Sequence, residues 1–281
     1  MAHPGLAWLE RSDEGRAWLR RLPRLVDECR EQWSLVLEEP YPYAYASLAI
    51  PAGDAVLKIQ FPDREGEHEA AALALLAGDG AVRLLAHDRE RHALLLERCR
   101  PGTPLHTVGR DRALDVLVGL LPRLWKPAGA PFRSAADEAA HWLETLEQDW
   151  ERHARPFERE LLDAAIEALT DLPATQGSQV LVHQDLHGDN VLSAEREPWL
   201  VIDPKPLVAE RELALAPIIR SFELGGRRED VLHRLEYLTS ELGLDRDRAR
   251  RWTIGQTLAW SFGSDWHARH VDTARWLLQA G

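Results

Sequence analysis

The first hundred residues alternate between helical and strand-like spacing of their apolar side chains. Leu6, Leu9, Trp18, Leu22 and Leu25 recur at helical intervals among charged residues, which predicts that the first 30 residues are helical. Short apolar runs broken by proline and glycine follow from residue 34 to residue 61, a pattern typical of antiparallel strands. We expect strands at residues 35–37, 44–50 and 55–59, a helix at residues 64–76, and a hairpin formed by residues 82–86 and 93–97.

A Pro-Gly-Thr-Pro sequence at residues 101–104 marks a break, after which the pattern is mostly helical. Short strands are expected at residues 180–183, 191–192 and 200–202, and helix is expected from Pro206 to the end. The pattern predicts an α+β fold with two lobes. Residues 1–100 would form a small antiparallel β-rich lobe, and residues 101–281 would form a larger helical lobe.

Charge and cysteine content narrow the classes of function. The net charge of −12 argues against nucleic-acid binding, which needs a basic surface. It suits a cationic small substrate, although the charge by itself is also explained by solubility. No apolar run approaches the roughly 18 residues of a membrane span, and the first residues do not resemble a secretory signal. Cys29 and Cys99 form no disulfide framework, so we expect buried thiols in a cytoplasmic protein. The sequence gives no indication of the oligomeric state.

The most informative segment is His-Gln-Asp-Leu-His-Gly-Asp-Asn at residues 183–190, followed by Trp-Leu-Val-Ile-Asp at residues 199–203. Phosphoryl transfer needs a carboxylate that orients the acceptor hydroxyl and accepts its proton, and Asp185 is the candidate for this base. Asn190 and Asp203 are candidate ligands of Mg²⁺, which prefers oxygen donors. Each residue alone would read as a turn residue, but the whole string with its flanking strands favours the catalytic interpretation.

Only three of the 34 basic residues are lysines, and one of them, Lys58, is the single charge of an apolar strand. A kinase places a lysine there to bridge the α- and β-phosphates and to pair with a helix glutamate. Glu65, Glu67 and Glu69 are available, and we favour Glu69 because an alanine-rich apolar turn follows it. The alternative is an edge-strand lysine that deters aggregation.

Other candidate residues surround the nucleotide and the catalytic loop. Glu97 and Cys99 follow an apolar strand, so their backbone could pair with adenine. The segment at residues 39–45 contains three tyrosines where a G-x-G-x-x-G phosphate loop is expected, and we interpret them mainly as packing residues. His183 is expected to hydrogen-bond the loop backbone, and His187 remains unassigned. Lys205 could contact phosphate or pair with an acid.

These segments resemble the aminoglycoside phosphotransferases, a branch of the protein-kinase-like fold, and in particular the group of streptomycin 6-kinases and hydroxyurea phosphotransferases. The resemblance runs from about Lys58 to Pro206. It implies ATP or GTP, Mg²⁺, a cytoplasmic enzyme and antibiotic inactivation by O-phosphorylation. The segments that carry it are residues 58–63, 78–88, 94–99, 101–105 and 202–206.

The sequence also departs from that group. The group commonly reads H-G-D-L-H-P-G-N, where this chain has Gln184, Gly188 and Asp189, and residues 207–214 are unlike the expected segment. The acceptor could therefore differ from streptomycin, and a tuberactinomycin peptide such as capreomycin or viomycin is a second candidate. Alternatives are a kinase for an amino alcohol or sugar and a nucleotide-binding pseudokinase. The unranked carboxylates that could bind a cationic acceptor, each of which is otherwise a solvated surface residue, are Glu144, Glu147, Asp149, Glu210, Glu223 and Asp265.

Overall fold

The structure, a computed structural model, describes residues 3–42, 45–262 and 268–281. Two compact units divide them. The first contains the residues up to Gly102 together with Ser193–Asp203, and the second contains Thr103–Leu192 and the residues from Pro204 onward. No helix in the described ranges combines the length and the apolar character needed to cross a bilayer.

The first unit contains a four-stranded antiparallel sheet in the order β1-β2-β4-β3. Residue Val201 of a further short strand pairs in parallel with Ala81. The elements are a 3₁₀-helix at Pro4–Arg11, α1 at Asp13–Gln32, β1 at Ser47–Ala52, β2 at Ala55–Gln60, α2 at Glu69–Leu76, β3 at Leu84–Asp88, β4 at Ala93–Glu97 and β7 at Trp199–Val201. Strand β6, at Val191–Ser193, spans the boundary between the segments of the two units.

Helix α1 supplies much of the core of the first unit. The Ser12 side chain accepts a hydrogen bond from the Gly15 backbone N–H and so caps the helix at its start. Trp18, Leu22 and Cys29 are buried and belong to one apolar cluster with residues of β1 and β2. Burying a large apolar side chain stabilises a fold by roughly 1.5–3 kcal/mol, so this face holds the helix on the sheet.

Both cysteines are buried free thiols, as the sequence predicts. Burial raises the pKa of Cys29 to about 11 and that of Cys99 to about 12, so both are protonated at neutral pH.

Two expectations for the first unit are wrong in detail. Residues 35–37 form no strand, because Ser34 turns the chain at a φ of 51° and Val36 points into solvent at 84% exposure. The helix expected from residue 64 begins at Glu69, because the Asp63 side chain accepts a hydrogen bond from the Gly66 N–H and holds the preceding residues in turns. Residue Ala44, the expected start of a strand, lies outside the described residues.

The second unit is mostly helical, and its strands β5 and β8 pair antiparallel from Gln179↔Glu210 to His183↔Pro206. Strand β8 contradicts the prediction of helix from Pro206 onward: all five of its residues are buried, and two-sided burial removes the alternating pattern of a half-exposed strand. The elements are α3 at Arg110–Leu124, α4 at Ala135–Arg152, α5 at Arg159–Ala174, β5 at Gln179–His183, β8 at Pro206–Glu210, α6 at Ala216–Ile219, α7 at Arg228–Leu242, α8 at Arg246–Ala259, α9 at Ala268–Leu278, and 3₁₀-helices at Leu105–Val108, Gly188–Asn190 and Arg211–Leu215.

Candidate active site

Lys58 lies on β2, which is flanked by β1 and β4 in the middle of the sheet. Its side chain is almost fully buried. The interpretation of Lys58 as an edge-strand residue is therefore wrong, since an edge strand has a neighbour on one side only. A buried ammonium on a central strand needs fixed anionic partners.

Two carboxylates supply those partners. Lys58 Nζ lies 2.6 Å from Glu69 Oε2 on α2 and 2.5 Å from Asp203 Oδ1. Gln60 Nε2 also donates to Glu69 Oε2 at 2.6 Å. Of the three glutamates considered from the sequence, the structure thus brings Glu69 to the lysine.

The pKa values of this cluster reflect burial opposed by charge. Burial lowers the pKa of Lys58, but the charges of Asp203 and Glu69 outweigh it, so the net shift is upward and the ammonium stays charged. Burial raises the pKa of Glu69 to about 7 against the opposing charge of Lys58. Lys58 is thus held as a cation at one fixed position of the sheet.

Asp203 follows the end of β7 in a backbone conformation that is uncommon for a residue other than glycine. Its φ is +52°, in the left-handed region. Its side chain is 41% exposed, in contrast to its partner Lys58. Such local strain is often found where a side chain must be aimed for function, and a partly exposed carboxylate can accept a cation.

Arg196, which no sequence pattern indicated, fixes the position of Glu97 in the segment expected to bind adenine. Glu97 receives bonds from Arg196 Nε at 2.7 Å and from Arg196 Nη2 at 2.9 Å. The Glu97 backbone N–H already donates to the Arg83 carbonyl at 2.9 Å, so an adenine contact from Glu97 would use its carbonyl oxygen. Arg196 also binds the carbonyls of Gly78 and Ala81. Cys99 follows as a buried residue.

The tyrosine segment is described in part. Tyr43 lies outside the described residues, and Tyr45 stacks on Trp8 with ring centroids 5.1 Å apart. Tyr45 is thus a packing residue, in line with the sequence interpretation.

In the second unit, the loop after β5 holds Asp185 and Asn190 in a fixed relation. His183 Nδ1 accepts from the backbone N–H of Asp185 at 3.1 Å and of Lys205 at 3.4 Å, the structural role expected for this histidine. Asn190 Nδ2 donates to the Asp185 carbonyl at 2.9 Å. Since the amide nitrogen is engaged, the Asn190 oxygen is the atom left to bind a metal.

Two cations hold the carboxylate of Asp185. Lys205 Nζ lies 2.9 Å from Oδ2, and Arg220 Nη2 lies 3.4 Å from Oδ1. Burial would raise the pKa of Asp185, but the charges of Lys205 and Arg220 overcome this and lower it to about 2. Of the two roles left open for Lys205, the structure supports pairing with an acid, and that acid is the candidate base.

Trp260 and Gln256 fix the position of the Arg220 side chain. Its guanidinium lies 4.3 Å from the centroid of the Trp260 ring, and its Nη1 donates to Gln256 Oε1 at 3.0 Å. Gln256 in turn donates to the Gln184 carbonyl, next to Asp185. Arg220, Gln256 and Trp260 lie 35 or more positions beyond Asp185 and show no motif of their own, so no sequence pattern indicated them.

Most of the carboxylates considered for acceptor binding already have partners. Glu210 is buried and binds Arg248 and the Trp252 Nε1 at 2.5 Å, so this carboxylate is neither on a solvated face nor open to an acceptor. Glu223 accepts from the Gly188 N–H at 2.9 Å and lies 3.1 Å from His187 Nδ1. Asp265 lies outside the described residues. Side-chain partners in α4 or at the start of α5 also engage Glu144, Glu147 and Asp149.

Similarity to known proteins identifies the family of this chain. The profile of the aminoglycoside/hydroxyurea antibiotic resistance kinases matches residues 44–269, and the chain belongs to that family. It is 39% identical over 258 residues to a streptomycin 6-kinase from Streptomyces griseus, covering 88% of this chain and 84% of the relative. It is also 39% identical to a hydroxyurea phosphotransferase from Kitasatospora aureofaciens, covering 87% of this chain and 73% of that protein. The resemblance inferred from the motifs is confirmed.

Solved structures support the same fold. The choline kinase LicA from Streptococcus pneumoniae matches with a TM-score of 0.68 at 13% identity, covering 92% of this chain and 98% of that chain. LicA in complex with AMP matches with a TM-score of 0.63. The predicted protein-kinase-like fold, with an antiparallel sheet in one lobe and helices in the other, is confirmed, and the protein is an antibiotic kinase.

The double replacement Lys205→Gln with Arg220→Gln should raise the pKa of Asp185, because burial would then be opposed by the charge of His187 but no longer by the two cations. With a pKa of about 2, the native carboxylate is ionised at neutral and mildly acidic pH. In the variant, activity should fall as the pH is lowered toward the new pKa, which adds an acid limb to the pH profile of kcat. A pH profile measured beside that of the native enzyme tests this. An unchanged profile would show that the two cations do not set the ionisation of Asp185.

Proposed function

We propose that the protein is an ATP- and Mg²⁺-dependent phosphotransferase that transfers the γ-phosphate to a hydroxyl group of a cationic antibiotic and thereby confers resistance. The acceptor is an aminoglycoside such as streptomycin or a tuberactinomycin peptide such as capreomycin or viomycin. The enzyme acts in the cytoplasm. Membership of an antibiotic kinase family supports the reaction type.

The proposal rests on the fixed position and the negative charge of the Asp185 carboxylate. Its carboxylate is fixed by two cations and its backbone carbonyl by Asn190, so it is an oriented anion. In phosphoryl transfer most of the protein's contribution is positioning and electrostatic stabilisation, and the proton of the hydroxyl leaves late. A weakly basic but well-placed aspartate fits that role, because it aligns the hydroxyl through a hydrogen bond and accepts the proton as the new bond forms.

Each residue of the donor side has its own proposed role. Lys58 is a buried, permanently charged ammonium suited to the α- and β-phosphates, with Glu69 to hold it. The Asp203 carboxylate and the Asn190 amide oxygen are hard donors of the kind that Mg²⁺ prefers, and Mg²⁺ when bound neutralises charge on the phosphates. The carbonyl of Glu97 and the backbone of Cys99 are proposed to bind adenine. The AMP complex of LicA supports ATP as the donor through fold alone.

The acceptor class rests on charge and on the relatives. A net charge of −12 favours the approach of a cationic molecule over that of an anionic one. The relatives at 39% identity are named for streptomycin and hydroxyurea, which favours an antibiotic over a metabolite alcohol. The departures at Gln184, Gly188 and Asp189 are the reason to include a peptide acceptor.

A coupled ADP-release assay with ATP and Mg²⁺ across streptomycin, other aminoglycosides, capreomycin, viomycin and hydroxyurea tests the function. We expect turnover with at least one cationic antibiotic, a mass increase of one phosphate on it, and none with Asp203→Ala. No turnover with any of these, but turnover with amino alcohols or sugars, would replace the proposal with a metabolite kinase. Stabilisation by ATP and Mg²⁺ without any product would indicate a pseudokinase.

A further inference from the structure

Glu223 contacts the catalytic loop at a point away from its candidate base and metal ligand. Its Oε1 accepts a hydrogen bond from the Gly188 backbone N–H at 2.9 Å and lies 3.1 Å from His187 Nδ1. Burial would raise the pKa of Glu223, but the hydrogen bond with His187 outweighs burial, and the pKa is lowered to about 2. The carboxylate is therefore an anion at neutral pH, and an anionic acceptor forms stronger hydrogen bonds than a neutral one.

The Gly188 N–H is available to Glu223 because residue 188 is not a proline. Proline occupies this position in the related H-G-D-L-H-P-G-N motif, and proline has no N–H. Gly188 begins the 3₁₀-helix Gly188–Asn190, and His187 before it is extended, with a φ of −144° and a ψ of 179°. The first position of a helix and an extended preceding residue are both compatible with proline. What glycine adds at this position is therefore the N–H that Glu223 binds.

The segment that contains Glu223 contacts the loop at a second point. Arg220, three positions earlier, places its Nη2 3.4 Å from Asp185 Oδ1. Asn190 closes the same loop by donating to the Asp185 carbonyl at 2.9 Å. One short segment thus contacts both the carboxylate of the candidate base and the turn that leads to Asn190.

A buried arginine holds this segment at both ends. Arg234 of α7 is fully buried, and its guanidinium donates to the carbonyls of Ile219, Leu224 and Gly225 over 2.7–3.0 Å. Burial lowers the pKa of Arg234 to about 10, which still leaves a cation at neutral pH. Because the three carbonyls flank residues 220–223, one side chain fixes the positions of the residues between them.

We propose that Glu223 is a positioning residue: through the Gly188 N–H it holds the catalytic-loop turn that leads to Asn190. The base Asp185 and the metal ligand Asn190 thereby keep their relative positions. The inference rests on the function proposed above, which gives these two residues their roles. It assigns the Glu223 carboxylate to the loop and not to the cationic acceptor, the contact that the sequence left open for it.

The two roles of Glu223 differ in the kinetic parameter that a substitution changes. Glu223→Gln keeps the size of the side chain and removes its charge, and it should lower kcat about tenfold or more, as the loss of residues that orient a metal ligand often does. KM for the acceptor should stay within about twofold, whereas loss of an acceptor contact would raise that KM. Glu241→Gln, the same change at an exposed residue of α7, is the matched control and should leave both parameters unchanged.

Gly188→Pro and Gly188→Ala isolate the contribution of the N–H. Both add a Cβ, which would lie 3.0 Å from the Cβ of His106, but only proline removes the N–H. The proline variant should therefore have a lower kcat than the alanine variant. Glu223→Gln should lower kcat further in the Gly188→Ala background and have little effect in the Gly188→Pro background, because the bond is already lost there.

Hydrogen exchange of the full chain without substrates makes the test independent of turnover. The catalytic-loop peptide of Glu223→Gln should exchange faster than that of the native protein, and Gly188→Pro compared with Gly188→Ala gives the same measurement if Glu223→Gln does not fold. If the whole acceptor panel gave no turnover, the proposed function would fail, and faster exchange would still support the role of Glu223. Unchanged exchange, equal kcat in the proline and alanine variants, or a raised acceptor KM with kcat preserved would each overturn the proposal.

Discussion

Replacing Asp185 with asparagine should lower kcat at least about 100-fold with the best acceptor of the antibiotic panel. Asparagine has nearly the same shape but is neutral and a poor proton acceptor, so the hydroxyl loses both its orientation and its base. KM for the nucleotide should change much less, because Asp185 is not proposed to contact ATP. Steady-state kinetics with each substrate varied in turn would measure both effects.

The matched control is Asp163→Asn, an exposed aspartate of α5 that pairs with Arg159 on the surface. It should leave kcat unchanged and so separate the loss of charge at residue 185 from a general effect of the substitution. A kcat for Asp185→Asn within about threefold of the native value would exclude Asp185 as the base. Thermal unfolding of both variants would show whether a loss of activity is a loss of folded protein.

The local parts of the site could be predicted because their geometry is encoded over a few residues. Asp185 and Asn190 are five positions apart in one loop, so their relation requires only that loop to form. The Lys58–Glu69 pair joins a strand to the next helix along the chain, and a strand followed by a helix leaves few choices of partner. Burial on both sides of β2 is also visible as an apolar run interrupted by one charge.

The remaining parts depend on contacts that no local pattern records. Arg220 pairs with Asp185 across 35 positions and packs against Trp260, which follows two further helices, α7 and α8. Arg196 reaches Glu97 across 99 positions from a short polar loop that resembles any surface turn. Strand β8 was missed because five buried residues followed by helix give neither an alternating nor a helical signal. In each case tertiary burial, rather than periodicity, decides the structure.

Replacing Lys58 with methionine should destabilise the protein by about 3 kcal/mol at a pH well above 7, because a buried carboxylate loses its charge partner. The pKa of Glu69 is already raised to about 7 by burial, and removal of the lysine charge that opposes this shift should raise it further. The folded variant therefore binds a proton that the unfolded chain releases at a lower pH, so stability falls as the pH rises through the range between the two pKa values. Urea unfolding of the variant and the native protein at mildly acidic and at alkaline pH should show a larger deficit at alkaline pH.

Two further variants decide whether the buried charge is the cause. Adding Glu69→Gln to Lys58→Met removes that charge and keeps an acceptor for Gln60, so most of the lost stability should return and its pH dependence should disappear. Asp203 would then lack the lysine but remains 41% exposed, so water can solvate it. Lys126→Met, the same change at a lysine outside this cluster, should show no such pH dependence. A deficit in Lys58→Met that is equal at both pH values, or that Glu69→Gln does not relieve, would mean that Lys58 contributes by packing and not by neutralising a buried acid.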